Sequence, residues 1–156
     1  MKRLIFRVGG AVHTALYRLT GGKVGGRAFG VPVLLLTVAG RKTGKRRTAP
    51  LLYDRDGDNL VVIASKGGDP KHPAWYLNLR GAEADVEIGR EHRRVRARDA
   101  EGEERERLWA QMVGLYAPYA EYQKKTTRRI PVVVLEAVSS LRRGRLLRLS
   151  PTPRYP

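Results

Sequence analysis

The period of the apolar positions changes along this chain. Over residues 2–19, Leu4, Ile5, Val8, Val12, Ala15, Leu16 and Leu19 recur every three or four positions, with Lys2, Arg3, Arg7 and Arg18 mostly between them. This predicts an amphipathic helix, weakened at Gly9-Gly10. Gly21-Gly22 and Gly25-Gly26 predict a flexible turn after it. Short apolar or alternating runs follow over residues 33–38, 49–53, 60–65, 84–88, 93–98 and 132–135, at a spacing that fits an antiparallel sheet. Residues 54–58 (Asp-Arg-Asp-Gly-Asp) read as a turn, and residues 89–91 as the link of a hairpin. Val95 and Ala97 alternate with Arg94, Arg96 and Arg98, so one face of that strand is expected to be wet. Two helices interrupt the strands. Residues 73–79 begin with Pro73 in the first turn. Residues 101–116 cluster acids at their start, repeat Leu108, Met112 and Leu115 at helical spacing, and are expected to end at Pro118. Strands closing around one core with helices over the ends predict a mainly β fold with flanking helices, a small barrel.

The chain of 156 residues fits one domain, since a chain of this size buries roughly 70% of its unfolded surface. Lacking cysteine, it has no disulfide, thiol nucleophile or cysteine metal site. His13, His72 and His92 stand apart, so neither zinc spacing nor a Ser-His-Asp set can be assembled, and no metal is expected. No apolar run reaches the roughly 20 residues that cross a bilayer, and no signal peptide is evident, so a cytoplasmic protein is expected. The net charge of +16 is unevenly placed. Residues 1–53 hold eleven Lys or Arg and no acid, residues 54–136 hold fifteen of each sign, and residues 137–156 hold five Arg and no acid. That asymmetry suits a polyanion, whether nucleic acid, an anionic membrane surface or a multiply charged cofactor.

Two loops sharpen this. Gly40-Arg41-Lys42-Thr43-Gly44-Lys45-Arg46-Arg47-Thr48-Ala49-Pro50 joins two predicted strands and carries five cations. Arginine forks bind two oxygens of a phosphate or carboxylate at once, and Thr43 and Thr48 add hydroxyl donors. Alone, the run more often marks a solvated basic hairpin. Ala64-Ser65-Lys66-Gly67-Gly68 also follows an apolar strand, and again offers a hydroxyl, a cation and exposed amides. Together they suggest one large anionic ligand. Neither the Rossmann nor the nucleoside-triphosphate glycine pattern occurs.

Four blocks stand in order: Gly-Arg-Lys-Thr-Gly-x-x-Arg from Gly40, Ala-Ser-Lys-Gly-Gly from Ala64, His-Pro-Ala-Trp-Tyr-Leu-Asn-Leu from His72, and Tyr-x-x-Tyr-x-x-Tyr-Gln-x-x-Thr-x-Arg-x-Ile-Pro from Tyr116. Over about residues 10–137 the chain resembles the deazaflavin-dependent nitroreductase family. The resemblance implies a split β-barrel of the flavin-binding, pyridoxamine-phosphate-oxidase-like type. It also implies coenzyme F-420, an 8-hydroxy-5-deazaflavin whose tail carries a phosphate and several glutamates. Arg41, Lys42 and Thr43, helped by Arg47 and Thr48, would hold that tail, with Ala49, Pro50, Leu51 and Leu52 alongside the cofactor. Ile63, Ala64, Ser65 and Lys66 would line the ring, and Ala74, Trp75, Tyr76, Leu77 and Asn78 would close its other side. Tyr116, Tyr119 and Tyr122 match the family's tyrosines over the substrate. With Ser65 they are the candidate catalytic groups, as donors to negative charge developing on the acceptor. Leu51, Leu52, Ile63 and Trp75 also read as barrel core, Asn78 as a cap, and the tyrosine row as packing.

By resemblance, the activity is hydride transfer from reduced F-420 to a quinone or nitroaromatic acceptor, which asks for no catalytic His, Cys or carboxylate pair. A non-catalytic F-420 carrier has the same motifs. A nucleic-acid-binding barrel would fit a pI near 10.9, but should interleave aromatics with cations on one sheet face. The tyrosines cluster after a helix instead, so nucleic acid is not the expected partner. Three segments are expected: an amphipathic helix over residues 1–20, whose apolar face more often packs on the barrel but could lie on the inner face of the cell membrane, a cofactor-binding barrel over 21–137, and a basic, flexible tail over 138–156.

Overall fold

Valine-rich segments near the middle and end of the chain are apolar on both faces, which places them between two cores. The computed structural model describes residues 2–138, with side chains from residue 10 onward; the predicted basic tail, apart from Val138, lies outside the described residues. Helix α1 (Lys2–Thr20) leads into β1 (Arg27–Ala28), β2 (Val31–Ala39), β3 (Arg46–Leu52), β4 (Asp54–Asp56) and β5 (Asn59–Ile63). A tight turn (Lys66–Gly68), α2 (Ala74–Leu79), β6 (Glu83–Ile88), β7 (Glu91–Asp99), α3 (Gly102–Leu115), α4 (Pro118–Lys124) and β8 (Val132–Ala137) complete it. The strands run antiparallel in the order β1-β2-β6-β7-β8-β5-β4, with β3 on β2. Leu60 and Val62 of β5 and Val133 and Leu135 of β8 enter the barrel core with Leu34, Leu36 and Val86. Their neighbours Val61, Ile63, Val132 and Val134 point the other way, into a second core under Leu108 and Met112 of α3 and Tyr119 of α4.

The barrel is split beside β3. Among the described residues β3 pairs only with β2, although β5 runs close to its other edge. Pro50 has no amide hydrogen to give a second neighbour, as suits an edge strand. The Tyr53 amide donates to the Pro32 carbonyl at 3.1 Å, so by antiparallel alternation the amides of Thr48 and Leu52 face the split. Helix α1 covers the outer face of β2 and β6. The Tyr17 hydroxyl donates to the Val33 carbonyl at 3.1 Å and accepts from the Gly89 amide at 2.8 Å, while the Arg18 guanidinium grips the Glu87 carboxylate from 2.8 to 3.2 Å.

Three expectations change. α1 runs unbroken through Gly9-Gly10. The polar run 54–58 is a turn only at Gly57-Asp58, because Asp54–Asp56 pairs with β5. Pro118 does not merely end α3; it opens α4 as a first-turn proline. On the wet face of β7, Arg94 and Arg96 pair with Glu83, and Arg98 with Glu104 and Glu136.

Candidate cofactor and acceptor site

At one end of the split, the loop after β2 presents a surplus of positive charge. Of its five cations, Arg46 is paired with Asp85 across the sheet. Arg41, Lys42, Lys45 and Arg47 meet no carboxylate among the described residues, and all are exposed. The loop is nonetheless shaped. The Gly40 amide donates to the Lys45 carbonyl and the Gly44 amide to the Gly40 carbonyl, both at 2.8 Å. Asn78 Oδ1, buried on α2, accepts from the Arg41 amide at 3.1 Å and from Arg41 Nη1 at 2.9 Å. A side chain at Gly40 would crowd the Thr43 hydroxyl at 3.0 Å and approach Arg47 Nε at 3.5 Å, so those two groups share one side of the loop. Unneutralised charge on a fixed backbone is the arrangement that binds phosphates and carboxylates.

At the other end stand the Ser65–Gly68 turn and the tyrosines. Lys66 adopts φ 45° and Gly68 φ 84°. A Cβ at Gly68 would lie 2.6 Å from the Tyr122 carbonyl, so glycine lets this turn press against α4. Arg128 fastens the turn from behind, donating to the carbonyls of Ser65 and Asp69 at 2.8 Å and of Ala64 at 3.2 Å. Its Nη1 also lies 3.2 Å from His72 Nδ1. Burial, and then Arg128 and Arg80, push the His72 imidazole below its ordinary value, so it is a neutral acceptor for Arg128. Gln123 pins the neighbouring chain, giving its amide to the Arg128 carbonyl at 2.8 Å and accepting from the Ile130 amide at 2.9 Å.

Tyr116 and Tyr122 are half-buried and join hydroxyl to hydroxyl at 3.2 Å, which raises the Tyr116 phenol above its usual value. Tyr119 lies beneath them at 4% exposure, its ring edge-on to Tyr116 at 4.9 Å. Burial holds its phenol far above the ordinary range, so it is a donor at every relevant pH. Among the described residues its hydroxyl has no hydrogen-bond partner, and its oxygen is not fully sealed from solvent.

The sequence-predicted residues thus fall into groups. Arg41, Lys42, Thr43 and Arg47 share the cationic loop, Ser65 and Lys66 the turn, and Tyr116 and Tyr122 the tyrosine cluster. Ala49 and Leu51 share the inward face of β3, and Pro50 and Leu52 the other; Leu51 packs on the barrel core and Leu52 on the second core. Ile63 and Ala64 are buried. Thr48 turns to the outer face, 2.8 Å from Thr37 and 3.4 Å from Arg18. Trp75 and Leu77 pack on the barrel core, and Ala74 is exposed. Tyr76 is buried with its hydroxyl on Asp99 at 2.7 Å. Asn78 is no helix cap; it organises Arg41. Arg128 and Gln123 belonged to a recognised block, but their work on the Ser65 turn is visible only in three dimensions.

An edge strand with a cationic loop at one end and tyrosines at the other marks a split-barrel protein. Residues 11–137 match the family model described as F420H(2)-dependent quinone reductase, and the chain belongs to that family. The family is named for quinone rather than nitro reduction, a narrower statement than the nitroreductase resemblance and compatible with it. The chain is similar to the F420H(2)-dependent quinone reductase Rv1261c of Mycobacterium tuberculosis, at 45% identity over 130 residues, 80% of this chain and 87% of that one. It is also similar to the solved structure of an F420-H2 dependent reductase (FDR-A), at 46% identity and TM-score 0.62, over 67% of this chain and 94% of that one. A heme storage protein of Vibrio cholerae, HutZ, shares the fold alone, at 13% identity and TM-score 0.53, over 69% of this chain and 82% of that one.

Proposed function

We propose that the protein transfers hydride from reduced coenzyme F-420 to a quinone, the cofactor lying along β3 with its tail in the Gly40 loop. The observation that carries this is the set of four cations without carboxylate partners among the described residues, Arg41, Lys42, Lys45 and Arg47, at one end of a strand edge whose other end, at Leu52, packs with the tyrosines. A tail of phosphate and glutamates fits that loop: it supplies the anions the fold withholds. When bound, the coenzyme supplies the hydride chemistry at a carbon centre, so the protein's part is to bind, orient and exclude water. Arg41 and Arg47 offer forks and Lys42 and Lys45 point charge, while the outward amides of Thr48 and Leu52 offer donors along the split. Ser65, held by Arg128, brings its hydroxyl to the ring end. Tyr116 and Tyr122 present faces for a flat acceptor, and the hydroxyls of the cluster stabilise negative charge developing on its oxygen.

A fluorescence titration with oxidised F-420 beside FMN, followed by absorbance-monitored oxidation of the reduced coenzyme with menadione, tests this. Tight F-420 binding with turnover is expected. Binding without turnover would leave a carrier, and preference for FMN would end the reading.

An anionic membrane surface is a second partner in this proposal. Val12, Leu16 and Leu19 stand exposed on one side of α1, where Leu19 reaches 78%, while Tyr17 and Arg18 anchor the other side. No helix of the described residues is long and apolar enough to cross a membrane. An exposed apolar stripe in an acid-free, cationic segment suits the surface of an anionic leaflet. Leu16→Glu with Leu19→Glu should abolish sedimentation with anionic vesicles and leave F-420 affinity intact. Unchanged sedimentation would remove α1 from that role.

A further inference from the structure

Several large apolar side chains are exposed, and one of them touches the site. Phe29 is 82% exposed, yet its ring lies 5.6 Å from that of Tyr116 at a tilt of 38°. It occupies the tip of the hairpin between β1 and β2, with φ 53° beside Gly30 at φ 76°. Besides Lys66, it is the one non-glycine residue with positive φ among the described residues. Bulky side chains rarely adopt that region; glycine or asparagine would make the same two-residue turn with less strain. The tip is fixed, since Arg27 Nη2 donates to the Gly30 carbonyl at 2.6 Å. A large ring on a disfavoured backbone, facing water, adds little to folding. Its position beside Tyr116 is what sets it apart from the apolar residues of α1.

We propose that Phe29 is a specificity-determining residue on the acceptor side: its ring extends the wall of Tyr116 and Tyr122 and forms the outer jaw on which a flat aromatic acceptor stacks. The wall is continuous, since Tyr116 contacts Phe29 on one side and bonds Tyr122 on the other, and the Tyr122 backbone abuts the Ser65–Gly68 turn. This assignment rests on the hydride-transfer reading above. It concerns affinity for the acceptor and leaves cofactor binding to β3 and the cationic loop.

Phe29→Gly tests it cleanly, because glycine keeps the turn and relieves its backbone while deleting the ring. The melting temperature should hold or rise. The KM for menadione, a two-ring acceptor, should rise about threefold to tenfold, the factor carried by one aromatic pair. The KM for 1,4-benzoquinone should rise less, F-420 affinity should stay unchanged, and Phe29→Tyr should restore the wild-type KM. An unchanged KM for menadione in Phe29→Gly, or no rescue by Phe29→Tyr, would overturn the assignment. A loss of F-420 affinity would overturn it as well, by moving Phe29 to the cofactor. If the wild-type protein reduces neither quinone, the hydride-transfer reading fails and Phe29 loses its role with it. Wild-type turnover with no change in the variant sinks the Phe29 assignment alone.

Discussion

Nη2 of Arg128 donates to the carbonyl oxygen of Ser65 at 2.8 Å, across 63 positions of the chain. One guanidinium thereby fixes the turn that carries Ser65, since the same group also reaches the carbonyls of Ala64 and Asp69. Five donors in a planar fork serve several carbonyls at once, which a lysine ammonium cannot copy.

Arg128→Lys should therefore behave as a non-conservative change. The Ala64 and Asp69 carbonyls lose their guanidinium donor while Ser65 keeps the Gly68 amide at 2.9 Å, at a cost of about 1–3 kcal/mol in all because the turn borders solvent. Thermal unfolding should show that loss, with a fall in F-420 affinity larger than that from Arg129→Lys, whose guanidinium contacts exposed Glu106 instead. Equal effects of the two substitutions would mean the turn does not depend on Arg128.

The same cluster makes a pH prediction. His72 is half-buried against Arg128 and Tyr76, with Arg80 and Asp99 also acting on it; this partial burial and the two arginines lower its value, and Asp99 opposes them. The folded protein binds this proton less readily than the unfolded chain does, whose value is near 6.5. The stability it contributes is thus complete above that value and is lost as pH falls through the lower folded value. Melting temperatures from pH 8 to pH 5 should decline more steeply for the wild type than for His72→Gln. Parallel curves would show that His72 is not the titrating group. Carboxylates held low by arginines, such as Glu83 and Glu104, should act at still lower pH in both proteins.

The ends of the site differed in how far the sequence disclosed them. The strands buried on two faces, β2, β5 and β8, appear as continuous apolar runs and were readable directly. The hairpin of β1 is two residues long and left no period. α4 is hidden in the sequence because Pro118 also reads as a stop, although Tyr116, Tyr119 and Tyr122 recur at helical spacing and a proline at the first helical position is a start. The charge of the Gly40 loop was plain. That Arg46 is neutralised by Asp85, and that Thr48 turns toward Arg18, depends on strand register and on α1, both tertiary facts. The role of Arg128 was unreadable because its acceptors are backbone carbonyls far away in sequence.

The cationic loop is expected to recognise charge at the tail and nothing at the ring. Lys42→Ala with Arg47→Ala should weaken F-420 by about tenfold to a hundredfold, given that charge-assisted contacts contribute about 1.5–3 kcal/mol each before solvent screening. A deazaflavin without its tail should lose about twofold or less, because neither side chain touches the ring in this reading. Raising the salt concentration should mimic the double substitution for F-420 alone. Equal losses for both ligands would remove the tail from the loop.

Tyr119 separates packing from chemistry within one side chain. Its ring is part of the second core and meets Tyr116 and Tyr122 edge-on at 4.9 and 6.3 Å. Tyr119→Phe keeps that ring and removes only a hydroxyl that has no partner among the described residues, so stability should change by about 0.5 kcal/mol or less. If the hydroxyl steadies negative charge on the acceptor, kcat with menadione should fall about tenfold or more while F-420 affinity holds. Its phenol stays protonated, because burial raises it far above neutrality, so the defect should be the same at pH 6 and pH 9. A variant that binds F-420 less tightly but turns over at the wild-type rate would place Tyr119 against the cofactor instead, and Tyr116 or Tyr122 would then carry the donor role.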